Sequence, residues 1–417
     1  MKRIFGVFGL LGAVALAWSQ AYFLVPMDSH QTDHLRAYGV AYHALELGLE
    51  TEWLLNYRGG SFLIQASPDL QAYAEVLGVS IEPLSASQVQ QIYQQIDQAN
   101  MNRVVLEKAP KVAVYIPPYA EPWDDAVSLA LTYARIPFDR IYDREILEGK
   151  LNDYDWLHLH HEDFTGQFGK FYASYRDADW YRRQVEVSTR LAHELGFAKV
   201  WQLKHAVALK IREFVRRGGF LFAMCSAPIT LDIALAAGPV DIVDTPYDGD
   251  PPDPQAQQKL DYSQTLAFTN FRIYTDPLLY EHSDVDVTRE AARRGPNTYF
   301  TLFDFSAKFD PVPTILTQDH TRVIKEFLGQ DTGFRKDRLK ENVTVMGEVL
   351  GTHEAKYIYG NYGKGFFSFL GGHDPEDYQH FIGDPPTDLS LHKHSPGYRL
   401  ILNNVLFPAA QKQPLKT

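Results

Sequence analysis

Cys225 is the only cysteine among 417 residues, and its surroundings suit a nucleophile. The apolar run Phe220-Leu221-Phe222-Ala223-Met224 leads into it and a helical pattern follows, with Ala223 two residues before and Ala227 two after. A nucleophile on a sharp strand-to-helix turn needs small neighbours, because larger side chains crowd the bend. Such a turn exposes the sulfur at the C-terminal edge of a sheet, where open α/β folds place their sites. The helix N-terminus beginning at Ser226 would favour thiolate and an oxyanion, with Ser226 itself against the substrate. The opposing reading is a buried inert thiol, the commoner fate of a free cysteine.

A thiol nucleophile needs a base, and the base needs an orienting acid. The run Phe366–Leu370 ends in Gly371-Gly372-His373-Asp374, followed by Glu376 and Asp377. His373 fits the base and Asp374 or Glu376 the acid. Alternatively His373 caps a sheet edge and does no chemistry. A second cluster, Trp156-Leu157-His158-Leu159-His160-His161-Glu162, ends another apolar run. Alternation puts His158 and His160 on one face and His161 on the other. Two histidines on one face with a carboxylate could bind Zn²⁺. His160, His161 and Glu162 could instead wall a substrate pocket, and the loop holding Gly166 could donate a further oxyanion N–H. His30 and His34 share a helical face near the first strand, and His380, His392 and His394 follow His373.

The elements that must position these residues read as α/β. Residues 22–107 predict a small N-terminal α/β unit, with strands at 22–25 and 51–55 and helices near 31–48, 68–78 and 86–99. From 108 onward, strands at 111–116, 138–142, 156–160 and 220–224 alternate with helices at 124–135 and 186–217. That rhythm predicts a mostly parallel sheet with helices on both faces. It lapses over 244–340, an insertion, and returns with strands at 343–346, 355–359 and 366–370 and a helix at 398–406. The Pro/Asp-rich loop 244–254 offers carboxylates to Ca²⁺ but lacks EF-hand spacing, so it reads as an ordinary solvated loop.

At this point a resemblance emerges. A strand–Cys elbow, then a late strand ending in His-x-Pro-Glu, resembles the class I glutamine amidotransferase-like superfamily. Gly363-Lys364-Gly365 and Gly372-His373-Asp374, with Leu402-Asn403-Asn404 in the closing helix, resemble its trehalose-utilisation, ThuA-like branch. The resemblance covers about 110–235 and 340–408. It implies a flavodoxin-like sheet over 108–243 and 341–410, and a Cys225–His373–Glu376 triad in which Asp374 is the alternative acid. The elbow departs from the usual Gly-x-Cys-x-Gly in having Ala223 and Ala227, and Asp374 is inserted before Pro375. The whole chain also resembles exported bacterial proteins named asparagine synthetase B. Its motifs do not support that name: the mature chain would not start with Cys, and no Ser-Gly-Gly-x-Asp loop is present.

Lys2 and Arg3, the apolar run Ile4–Trp18 and Ser19-Gln20-Ala21 have the order of a secretory signal. The run is short for a membrane span. Residues 1–21 are therefore expected to be a cleaved signal peptide, leaving a periplasmic or secreted protein without stable membrane insertion. An uncleaved anchor is the rival. The net charge of −12 repels phosphate backbones, which argues against nucleic-acid partners. A lone cysteine excludes an intramolecular disulfide and a CxxC zinc site. The 24 Tyr, 25 Phe and 6 Trp suit a core or a sugar-binding surface.

The resulting expectation is an exported cysteine-dependent hydrolase or amide-transferring enzyme acting on a small amide or glycan-derived substrate. Two alternatives stand beside it: a metal-dependent hydrolase using the strand-end histidines with Zn²⁺, and a non-catalytic carbohydrate- or peptidoglycan-binding protein.

Overall fold

The computed structural model describes residues 21–310 and 313–412. The expected signal segment, up to Gln20, lies outside the described residues. Among them, no helix is long and apolar enough to cross a membrane.

The chain builds two sheets. The first is five-stranded and wholly antiparallel. Its strands are β1 (Tyr22–Val25), β2 (Thr51–Leu55), β3 (Ser61–Gln65), β4 (Glu82–Leu84) and β5 (Asn102–Leu106), in the order β4-β1-β3-β2-β5. Alternation sends Leu24, Leu54 and Leu63 to one face, under helix Ala86–Gln98. Phe23, Val25, Trp53, Phe62 and Ile64 go to the other, against helix α1 (His34–Glu46).

The second sheet is mixed. Its parallel half comprises β6 (Val112–Tyr115), β7 (Asp139–Ile141), β8 (Trp156–Leu159), β9 (Phe220–Met224) and, from late in the chain, β15 (Gly365–Leu370), in the order β7-β6-β8-β9-β15. β9 and β15 lie side by side in register, Met224 opposite Leu370. The antiparallel half adds β10 (Tyr299–Leu302), β11 (Val323–Lys325), β12 (Phe334–Arg335), β13 (Thr344–Glu348) and β14 (Glu354–Tyr362). Segment 244–340 therefore contributes three of its strands to this sheet. β14 and β15 form a tight hairpin through Gly363-Lys364, with Gly363 at φ +63°. That return reverses chain direction and makes half of the sheet antiparallel, where sequence rhythm predicts mostly parallel pairing.

Central strands are buried on both faces, as parallel strands with helices above and below require. Phe220, Phe222 and Met224 join the core with α1, α4 (Ala126–Ala134) and the closing helix Pro396–Leu406. Leu221 and Ala223 join the core on the other side, with helices Val200–Arg217 and Ala227–Ala237. α1 is thus shared by both sheets. Its Gly39 is pressed so close to α4 that a Cβ would fall 1.8 Å from Ala134 O. The N-terminal unit and the larger sheet consequently have one continuous apolar core.

Candidate functional site

The C-terminal ends of β6, β8, β9 and β15 meet at one edge of the large sheet. They deliver, in turn, the loop with Glu121, Trp123, Asp124 and Asp125, the run His158 to Glu162, the Cys225 turn, and His373.

Cys225 joins β9 to the helix Ala227–Ala237 at φ +50°, a left-handed conformation that is strained for a non-glycine residue. Its N–H donates to Gly372 O (3.2 Å), and Ala227 N–H donates to His160 O (3.1 Å), which ties the turn to both neighbouring strand ends. The thiol is 3% exposed and accepts from Gln330 N–H at 3.4 Å. Burial pushes it up to about 12. The thiol, His161 and His373 all line one cavity of about 310 Å³, with Trp123, Phe171, Tyr175 and Tyr280 among its walls.

The triad itself is not assembled. No hydrogen bond links Cys225 to His373 among the described residues. Asp374 is turned beneath the closing helix, where it accepts from Tyr398 Oη (2.8 Å) and Glu376 N–H (2.8 Å). Glu376 turns the other way and pairs with His392 Nδ1 at 2.9 Å. Neither acid orients His373. Gly166 also departs from the expected role: at φ +83° it presses against the backbone of Trp201, away from the Cys225 cavity. Ser226 is wholly buried, its hydroxyl unpartnered.

What the edge does assemble is a histidine cluster. His160 and His373 have ring centroids 4.6 Å apart, and His160 and His161 5.1 Å. One ring nitrogen from each of the three lies within 4.8 Å of the others. Among the described residues, His160 Nδ1 and Nε2, His161 Nδ1 and His373 Nε2 are buried with no hydrogen-bond partner. Buried polar atoms are almost always partnered, so these nitrogens are free to accept a bound ion or a water.

Carboxylates fix the outward sides of these rings. His161 Nε2 lies 2.7 Å from Glu121 Oε2. Burial alone would lower His161, but Glu121 lifts it to about 9. Asp125 caps α4 through Ser128 N–H (2.5 Å) and turns its other oxygen to His160 Nδ1 (3.3 Å) and His158 Nε2 (3.4 Å). These are ion-pair distances without hydrogen-bond alignment. Burial opposes the charge on Asp125, yet His160 and His158 hold its carboxyl well below the usual range. His158 is enclosed, with Nδ1 near Phe222 O (3.2 Å) and its ring stacked on Phe222. With Asp125 and His160 it forms a further group whose donor atoms lie within 4.8 Å of one another, the pairing of His158 and His160 that the sequence suggests for a metal. Burial, with the His160, His161 and His380 rings, keeps His373 well below its ordinary value. Glu162 accepts from His160 N–H at 2.7 Å, and burial pushes it up to about 8.

Nitrogen donors at this spacing, each backed by a carboxylate or a neighbouring imidazole, suit Zn²⁺ or a similar divalent ion. Asp241, Asp248 and Asp250 also converge, but Lys199 Nζ occupies that cluster. Sequence reading missed Glu121, Asp124 and Asp125. The signal available was their place after β6, at the same sheet edge as His160.

No protein-family model matches the chain, and no curated protein matches it. Among solved structures, a cytoplasmic protein of Salmonella typhimurium is similar over 72% of this chain and 100% of its own, at 11% identity and TM-score 0.35. A second Salmonella typhimurium cytoplasmic protein is similar over 72% and 99%, at 13% identity and TM-score 0.33. A beta-galactosidase from Bacillus circulans sp. alkalophilus is similar over 64% of this chain and 29% of its own, at 11% identity and TM-score 0.26.

Proposed function

We propose that this protein is a metal-dependent hydrolase of a small amide or glycan-derived substrate, with His160, His161 and His373 holding a divalent cation, Zn²⁺ by preference. The observation that carries the reading is three converging histidines, each with a buried ring nitrogen unpartnered among the described residues. An ion held there supplies Lewis acidity and a water more acidic than bulk water. The chain's own residues do the rest. Glu121 and Asp125 fix the His161 and His160 rings. Trp123, Phe171, Tyr175 and Tyr280 give the cavity apolar walls that take the flat face of a substrate and exclude water.

The parallel strand order β7-β6-β8-β9-β15, which is 2-1-3-4-5 in chain order, supports a flavodoxin-like scaffold and with it the likeness to the glutamine amidotransferase-like superfamily. On that scaffold the thiol route is the weaker reading, because burial disfavours the Cys225 thiolate and no imidazole among the described residues hydrogen-bonds it. The export signal read from residues 1–21 would place this chemistry in the periplasm or outside the cell.

The test is hydrolysis of chromogenic amide, ester and glycoside panels by purified protein, before and after removal of metal by a chelator. The proposal expects activity that is lost on stripping, returns with Zn²⁺, and survives Cys225→Ala. Activity that is indifferent to stripping but abolished by Cys225→Ala would restore the cysteine mechanism in its place.

A further inference from the structure

A second set of donors adjoins the first. His380, in the loop after β15, lays its ring against His373 with centroids 4.6 Å apart and planes 24° apart. Its Nδ1 is 3.0 Å from Asp377 Oδ2, the kind of outer contact that fixes a metal-binding imidazole. Its Nε2 faces Asp124 Oδ1 at 3.4 Å and has no hydrogen-bond partner. Both carboxylate oxygens of Asp124 are likewise buried and unpartnered. The two side chains are only 7% and 10% exposed. A buried carboxylate without a well-aligned donor is costly, and a proton or a cation relieves it.

A cation fits the surroundings better. One donor atom each from Asp124, His373 and His380 lies within 4.8 Å of the others. Donors sharing one ion at about 2.0–2.2 Å lie at most about 4.4 Å apart, so a small closing of the three side chains brings them onto one ion. Asp124 lies at the head of α4, next to Asp125, so the same loop reaches both donor sets. Mixed imidazole and carboxylate donors select Zn²⁺ or Mn²⁺ over Ca²⁺ and Mg²⁺, which prefer oxygen shells.

We propose that Asp124 and His380 hold a second divalent cation beside the one at His160 and His161, with His373, whose neutral ring has a single lone pair, a ligand to one of the two ions. This inference rests on the metal-centre reading above. A paired centre would hold the attacking water on one ion and polarise the substrate oxygen with the other.

The experiment is Zn²⁺ titration of chelator-stripped protein, with bound zinc counted by elemental analysis after gel filtration. The inference expects two equivalents in the wild type and one in Asp124→Asn and in His380→Gln. One equivalent in the wild type, unchanged in both variants, overturns the second site and leaves the His160/His161 centre standing. None in a protein shown folded by circular dichroism removes both. If the variants do not fold, the paramagnetic resonance spectrum of wild type loaded with Mn²⁺ decides. A spin-coupled pair supports the inference, and isolated six-line spectra at every loading contradict it.

Discussion

His161 Nε2 lies 2.7 Å from Glu121 Oε2, and the opposite ring nitrogen, Nδ1, is buried with no partner. The carboxylate thus fixes which nitrogen faces the cluster. Glu121→Gln keeps the shape of the side chain and removes its charge. Metal affinity should fall about 10- to 100-fold, the usual effect of losing such a contact. Competition with a chromophoric chelator measures this, and a change under twofold would make Glu121 irrelevant to the site.

Cys225 should behave as a protected thiol. With the group pushed up to about 12 by burial, the thiolate fraction at pH 8 is about 10³-fold below that of a free thiol near 8.5. Iodoacetamide should therefore label native protein about three orders of magnitude more slowly than protein unfolded in denaturant. Equal rates would mean that the thiol is open and active.

The two sheets meet at a histidine whose neutrality matters. His34 Nδ1 is 2.9 Å from His394 Nδ1, its Nε2 faces Met27 O and Asp28 O, and its ring stacks on His320. Burial, then the nearby Arg399 charge, lowers His34 to about 3. A depressed histidine binds fewer protons folded than unfolded, so its contribution is intact above pH 6.5 and lost as pH falls towards 3. At pH 4.5 the loss is about 3 kcal/mol. Urea melts from pH 7 to 4.5 should show it in wild type and lack most of it in His34→Gln.

Lys204 Nζ and Asp143 Oδ2 pair at 2.9 Å in the core, with Lys204 also donating to Tyr115 Oη at 2.7 Å. Removing one partner strands the other. Asp143→Leu should cost about 3–5 kcal/mol, and Asp143→Leu with Lys204→Met should cost less than Asp143→Leu alone. Denaturant unfolding of the single and double variants checks the order.

Much of the scaffold was legible in the sequence because its central strands are short apolar runs with abrupt ends. The strands before His160, Cys225 and His373 stand out for that reason. β3 was missed because it follows the Gly59-Gly60 turn directly, and only its antiparallel pairing with β1 and β2 defines it. The failed triad has a comparable cause. Three residues of spacing between His373 and Glu376 say nothing about the turn that sends Glu376 to His392 and Asp374 to Tyr398. Likewise, the sequence pattern places Asp125 inside a helix over 124–135, whereas it caps the helix Ala126–Ala134. Its second task, bridging His158 and His160, exists only because β6 lies beside β8.

The central claim is that the orphaned nitrogens of His160, His161 and His373 are metal ligands. X-ray absorption at the zinc edge, on protein loaded with one equivalent of Zn²⁺, tests it most directly. The expected result is a first shell at about 2.0–2.1 Å with at least two imidazole ligands, fewer in His161→Gln. An all-oxygen first shell, or zinc that washes out of the folded protein, would contradict it.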